Sequence, residues 1–177
     1  FQFSPKSKWS PIQVPGEAAM QGYAIEHDKP VLYKKQFVLP ADYKGQRTIL
    51  RFDGVYSYAR LWVNGTYVRE HFGGFSRWEA DITSLVKPGK KNEIKLEVTD
   101  RLDDISYASG YAHHPIGGIL RDVTVYALPQ TNVSDLMIET DLDDTYTDAS
   151  LKVSFDISRD ARVRYSLRDP KGENVNL

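Results

Sequence analysis

The sequence predicts an all-β fold, a sandwich or jelly roll of short antiparallel strands, on three observations. Apolar and polar residues alternate with a period of two over many short stretches, turn-forming residues punctuate those stretches, and no segment carries a helical stripe over three turns. The aromatic content agrees: eleven Tyr, seven Phe and three Trp in 177 residues, beside twelve Gly and nine Pro.

In chain order, a first strand is expected over Leu32–Leu39, and Lys44-Gly45 turns it toward a second at Thr48–Phe52. A third, Tyr58–Val63, runs into Asn64-Gly65. Both residues tolerate positive φ, so they suit a two-residue type I′ hairpin to Thr66-Tyr67-Val68. Gly73-Gly74 interrupts the chain, and Asp81–Val86 reads as one helical turn capped by Asp81. Pro88-Gly89 then leads into the clearest strand, with Ile94, Leu96 and Val98 on one face and Lys95, Glu97 and Thr99 on the other. An irregular stretch from Asp100 to Asp122 precedes a strand at Val123–Leu128.

Pro129-Gln130-Thr131-Asn132 reads as a linker, dividing the chain into residues 1–129 and 130–177. Beyond it, strands are expected at Leu136–Thr140, Leu151–Ile157 and Val163–Arg168, with a turn at Pro170-Lys171-Gly172. A complete sandwich needs about seven strands and ~100 residues, so the second unit reads as truncated. The opening Phe1-Gln2-Phe3, without an initiator Met, likewise reads as a piece of something longer.

Composition excludes several classes of function. The net charge is -1, and the densest basic run, Lys87–Lys91, is broken by Pro88 and Gly89, which argues against a nucleic-acid partner. There is no cysteine, hence no disulfide framework, zinc–thiolate site or cysteine nucleophile. No stretch reaches the roughly 18 apolar residues of a membrane span. The compartment stays open.

Chemistry-bearing residues gather in two places. The Asn64 amide at the hairpin tip is a donor and acceptor together, suited to a sugar hydroxyl, although a plain turn accounts for it as well. In the stretch Asp100–Asp122, Asp103 and Asp104 suit a cation and Tyr107, Tyr111, His113 and His114 a pocket lining, unless the whole is a solvated surface loop. Adjacent histidines in extended chain point to opposite faces, so no metal site and no cofactor is expected. The adjacent pairs Asp103-Asp104 and Asp143-Asp144 suit neither the separation nor the rigidity of a glycosidase pair, and no catalytic residue is assigned. Trp62, Trp78, Tyr56, Tyr58, Tyr107 and Tyr111 offer faces for sugar stacking, or else serve as core and cross-strand pairs.

A family resemblance rests on six motifs in register: Tyr33-Lys34-Lys35-Gln36-Phe37, Leu50-Arg51-Phe52-Asp53-Gly54-Val55, Leu61-Trp62-Val63-Asn64-Gly65, His71-Phe72-Gly73-Gly74-Phe75, Asp81-Ile82-Thr83 and Gly117-Gly118-Ile119-Leu120-Arg121-Asp122-Val123. Over residues 9–128 they resemble the N-terminal sugar-binding domain of glycoside hydrolase family 2, most of all its bacterial β-galactosidases. The tail resembles the start of that family's immunoglobulin-like second domain.

The resemblance implies a galactose-binding-domain-like jelly roll, then an immunoglobulin-like sandwich, then a TIM barrel carrying both glutamates of a retaining glycosidase. The chain alone is therefore expected not to hydrolyse glycosides, while its parent does. Implied partners are a β-galactoside, the downstream domains and, for the parent, further copies of itself, in the periplasm or cytoplasm of a bacterium. Asn64 matches an asparagine that binds the galactoside. Ala112 stands where some relatives carry a sodium- and substrate-binding aspartate, leaving Asp104, His113 and His114 as substitutes. Arg121-Asp122 is read as an ion pair fixing the strand from Val123. A free-standing carbohydrate-binding module, or a scaffold domain of a β-glucuronidase or β-mannosidase, is the alternative.

Overall fold

The computed structural model describes residues 1–2, 7–101 and 116–175. These form β1 (Gly16–Glu17), β2 (Val31–Val38), β3 (Arg47–Phe52), β4 (Val55–Tyr56), β5 (Tyr58–Val63), β6 (Thr66–Phe72), β7 (Trp78–Asp81), β8 (Lys91–Thr99), β9 (Gly118–Ile119), β10 (Val123–Leu128), β11 (Val133–Leu142), β12 (Ala149–Ile157), β13 (Leu167–Arg168) and β14 (Asn174–Val175). Helical structure among them is limited to 3-10 turns at Ala19–Gln21 and Ala41–Tyr43. The all-β class stands. The chain divides into two compact units, Phe1–Leu128 and Pro129–Leu177.

The first unit is a sandwich of two antiparallel sheets, ordered β2-β8-β5-β6 and β10-β3-β7, with a small sheet β1-β9-β4 at one end. Period-two patterning makes it so. β5 buries Ala59, Leu61 and Val63, β8 buries Ile94, Leu96 and Val98, and both sets meet Leu50, Phe52, Trp78 and Ala80 of the opposite sheet in one core. Phe52 and Trp78 are register partners across β3 and β7, stacked at 4.2 Å. His71 of β6 stacks on the same indole at 5.1 Å, tying the two sheets together.

The Asn64-Gly65 turn forms with positive φ at both residues, 49° and 84°, the twist that a two-residue hairpin requires. Asp81 ends β7, and its carboxylate accepts from the Thr83 N–H at 3.0 Å while Leu85 and Val86 close one turn on the Ile82 carbonyl. Strand β6 is longer than its alternation suggests, because its inward positions carry Arg69 and His71, whose guanidinium and ring pack on Trp78. In the second unit β11 and β12 form a long hairpin. The strand expected over Val163–Arg168 is reduced to Leu167–Arg168. The Asp169–Gly172 turn returns Asn174–Val175 to pair with it.

Candidate functional site

Strand directions sort the loops of the first unit onto two ends. β3, β6 and β8 finish, and β5 and β10 begin, at one end, which collects Asp53–Ser57, Gly73–Arg77, Asp100–Arg101 and Ile116–Asp122. Backbone bonds bind these loops to each other. Leu120 and Arg121 donate to the Gly54 carbonyl at 3.0 and 3.3 Å, Asp53 donates to Asp122 at 3.0 Å, and Gly73 donates to Ser57 at 3.0 Å. The buried Ser57 hydroxyl accepts from the Arg101 N–H at 2.8 Å, fixing the point where the chain leaves β8.

Glycines set the close packing here. A Cβ on Gly74 would lie 2.1 Å from the Tyr56 ring, so only glycine lets that backbone lie on the aromatic face. A Cβ on Gly54 would meet the Arg121 side chain at 3.3 Å; the arginine stem runs across this glycine. Phe75, 60% exposed, rests on Tyr56 at 5.5 Å, presenting an apolar ring to solvent.

Charge on this rim is specific. Asp53 accepts from the Arg77 Nε at 2.8 Å and lies 3.4 Å from the Arg51 Nε. Arg121 is exposed and makes no ion pair among the described residues. The ion pair expected between Arg121 and Asp122 does not form. The strand from Val123 is held instead by the backbone bonds of Arg121 to Gly54 and of Asp53 to Asp122. Below the rim the Asp100 carboxyl is 3% exposed, with Oδ2 3.9 Å from His27 Nδ1. Burial pushes its pKa above the ordinary carboxylate range, while His27 pulls the other way. Burial, and then the Arg69 guanidinium, lowers His71 and favours its neutral form.

Asn64 lies at the opposite end. Its Nδ2 donates to the Leu85 carbonyl at 2.8 Å and to Asn92 Oδ1 at 2.9 Å, and its Oδ1 accepts from the Glu93 N–H at 2.8 Å. Both amide hydrogens are used by the fold, and one lone pair on Oδ1 remains. From Asn92, its bonding partner, to Thr99 at the far end of β8 is seven residues, about 23 Å of strand. Asn64 is thus not brought together with Asp100–Arg101 or Ile116–Asp122, the described parts of that stretch. Asp104, His113 and His114 lie outside the described residues, as do Asp103, Tyr107 and Tyr111. Of the aromatics read as sugar platforms, Trp78 is core. Tyr58 and Trp62 are capped by Arg101 and Arg60, and Tyr56 sits on the rim, beneath Phe75. Phe75, Arg77 and Asp53 were not singled out as site residues. Asp53, Gly73-Gly74 and Phe75 do stand inside the resemblance motifs, which is the signal that carries them. No group of three His, Asp or Glu suited to a metal ion occurs among the described residues.

Comparison with known proteins joins this geometry to a family. The model of the glycosyl hydrolases family 2 sugar binding domain matches residues 8–129. A β-galactosidase of Priestia megaterium is 32% identical over 88% of this chain and 17% of its own length. One from Clostridium acetobutylicum is 30% identical over 94% and 21%. A Lactobacillus rhamnosus β-glucuronidase structure superimposes with a TM-score of 0.71 at 30% identity, over 85% of this chain and 28% of that one. The chain spans about a fifth of the length of these two curated relatives. The match covers the whole sandwich and the strands that carry its rim, so the chain belongs to the sugar-binding domain family of the family 2 glycosyl hydrolases.

Proposed function

We propose that this chain is the non-catalytic sugar-binding part of a larger retaining glycosidase of β-galactosidase type. It holds one edge of the substrate, and bond cleavage belongs to a barrel elsewhere in that polypeptide. The observation that carries this reading is the rim itself. Four loops locked by hydrogen bonds present Phe75, an exposed Arg121 without an ion pair among the described residues, and the Asp53–Arg77 pair, an apolar face beside directed hydrogen-bonding groups, which is the pattern a sugar ring needs. Such a rim aids catalysis by positioning.

In this reading Asp104, His113 and His114, which fall between Arg101 and Ile116 in the sequence, act as further polar contacts to substrate hydroxyls. A role for Asn64 in substrate binding is limited to its one free lone pair, and its first duty is to the fold. Residues 130–177 begin an immunoglobulin-like domain. The exposed side chains of Leu136, Ile138, Val153 and Phe155 suit a face that further strands cover.

A β-glucuronidase parent is the second reading, favoured by the similarity to the Lactobacillus rhamnosus structure. Paired chromogenic β-galactoside and β-glucuronide assays on the complete polypeptide separate the two. The 177-residue chain alone is expected to turn over neither, and hydrolysis of either by it refutes the assignment. Arg121→Ala in the complete polypeptide is expected to raise KM at least about tenfold, the loss of one charged contact. An unchanged KM and kcat overturns the rim as the substrate edge.

A further inference from the structure

The outward face of the four-stranded sheet carries one row of side chains unlike the rows beside it. Lys34 of β2 is the register partner of Lys95 of β8, Lys95 that of Trp62 of β5, and Trp62 that of Tyr67 of β6. Their chain neighbours Tyr33, Leu96 and Leu61 fill the core, so by alternation the row points outward. From Lys34 to Tyr67 it crosses three strand spacings, about 14 Å. Trp9 extends it past the β2 edge, with its ring 4.3 Å from the Lys34 ammonium.

Two lysines directly opposite each other are a pairing that a sheet resists. Gln2 takes both backbone groups of Leu32. By the two-residue repeat Lys34 and Lys95 then form a non-hydrogen-bonded pair, the kind that brings side chains closest. No carboxylate relieves them. The acids of the adjoining rows are engaged elsewhere: Glu97 with Arg60 at 3.1 Å, Glu93 with Gln36 at 3.1 Å, and Glu70 with the Tyr58 hydroxyl at 2.5 Å. Neither lysine has an ion pair among the described residues. Each leans on an indole instead, Lys34 on Trp9 and Lys95 on Trp62 at 5.2 Å. At the two ends of the row Trp9 is 40% and Tyr67 47% exposed.

We propose that this row is a binding surface for an acidic oligosaccharide, separate from the rim. An anionic substituent on one sugar, a carboxylate in the simplest case, sits between the two ammonium groups and removes their repulsion. The C–H faces of that sugar and its neighbours lie on the rings to either side. The exposed rings favour a sugar over an acidic peptide, for which the lysines alone would suffice. The surface does not depend on the rim being a substrate edge: Lys95 stands four residues before Thr99, the rim end of β8, about 13 Å along the strand.

The test titrates the 177-residue chain at low ionic strength with tetragalacturonate, neutral galactotetraose and tetraglutamate, reading binding from backbone and indole NMR shifts. Tetragalacturonate is expected to bind at least about tenfold more tightly than either of the others, by one charged contact over the neutral sugar and by ring stacking over the peptide. The shifts should fall on the Trp9 and Trp62 indoles and the Lys95 and Tyr67 amides. Replacing both lysines, Lys34→Gln with Lys95→Gln, is expected to weaken tetragalacturonate about tenfold or more while the rest of the spectrum stays unchanged. Tyr67→Ala should bring its affinity down toward that of tetraglutamate. Equal affinity for tetraglutamate marks an acidic-peptide surface, and equal affinity for galactotetraose one indifferent to charge; either overturns the proposal. So do an absence of tetragalacturonate binding, shifts confined to Phe75, Arg121 and their neighbours, or an affinity untouched by the lysine replacements.

Discussion

Asn64 shows how one side chain can carry a motif without carrying a ligand. Its amide closes a hairpin onto Leu85, Asn92 and Glu93, so Asn64→Ala strands the Leu85 carbonyl and the Glu93 N–H, while Asn92 Oδ1 keeps the Lys87 N–H. The variant is expected to lose about 1–3 kcal/mol in a urea melt, and a loss below about 0.5 kcal/mol would deny that role. Gly74→Ala forces a methyl group against the Tyr56 ring and is expected to cost about 1–3 kcal/mol, with the Tyr56 and Phe75 resonances shifted in NMR spectra. Asp100 sets a pH dependence. Burial raises its carboxyl in the folded state, so its stabilising contribution is full below the unfolded value, about 3.9, and is lost as pH rises through the folded one. Asp100→Asn removes that loss. The variant should gain stability over the parent between pH 4 and pH 7, and a difference that stays flat over that range refutes the assignment.

Elements were legible where an apolar face recurs over three or more alternations. β8 and β12 are of this kind, as Ile94, Leu96 and Val98 in one and Leu151, Val153 and Phe155 in the other make plain. The four-residue β7 and two-residue β1, β4 and β9 were not, since a period of two needs more residues than they have. β7 exists because the longer β3 offers it a ladder, where Trp78 and Ala80 pair with Phe52 and Leu50 on the core side, whereas β1, β4 and β9 pair with one another where three loops meet. The Phe52–Trp78–His71 stack then makes this short strand a structural junction. Trp78→Ala is expected to cost about 3–5 kcal/mol by loss of buried contact and the cavity left behind, measurable by chemical denaturation. A cost under 1 kcal/mol would show that the stack holds nothing together.

On the scale of the whole molecule, the two compact units part between Leu128, the last residue of β10, and Pro129, where the chain leaves the strand for an irregular stretch in which Pro129 and Thr131 are exposed. Limited proteolysis is expected to cut first within residues 129–132 and to leave the first unit intact, as followed by mass spectrometry; first cuts inside β3, β5 or β8 contradict it. Local alternation, turn residues and six motifs in order sufficed for the all-β class and the family, because those signals lie within a few residues of each other along the chain. Which residues share a site could not be read that way. The sequence alone did not say whether Asn64 and Asp100 share an end of the sandwich, and strand β8 holds Asn64 at the end away from Thr99 and Asp100. The rim of Asp53, Tyr56, Phe75, Arg77 and Arg121 draws on loops far apart in sequence. Only antiparallel pairing, which reverses the chain at every turn, decides which loops fall at the same end.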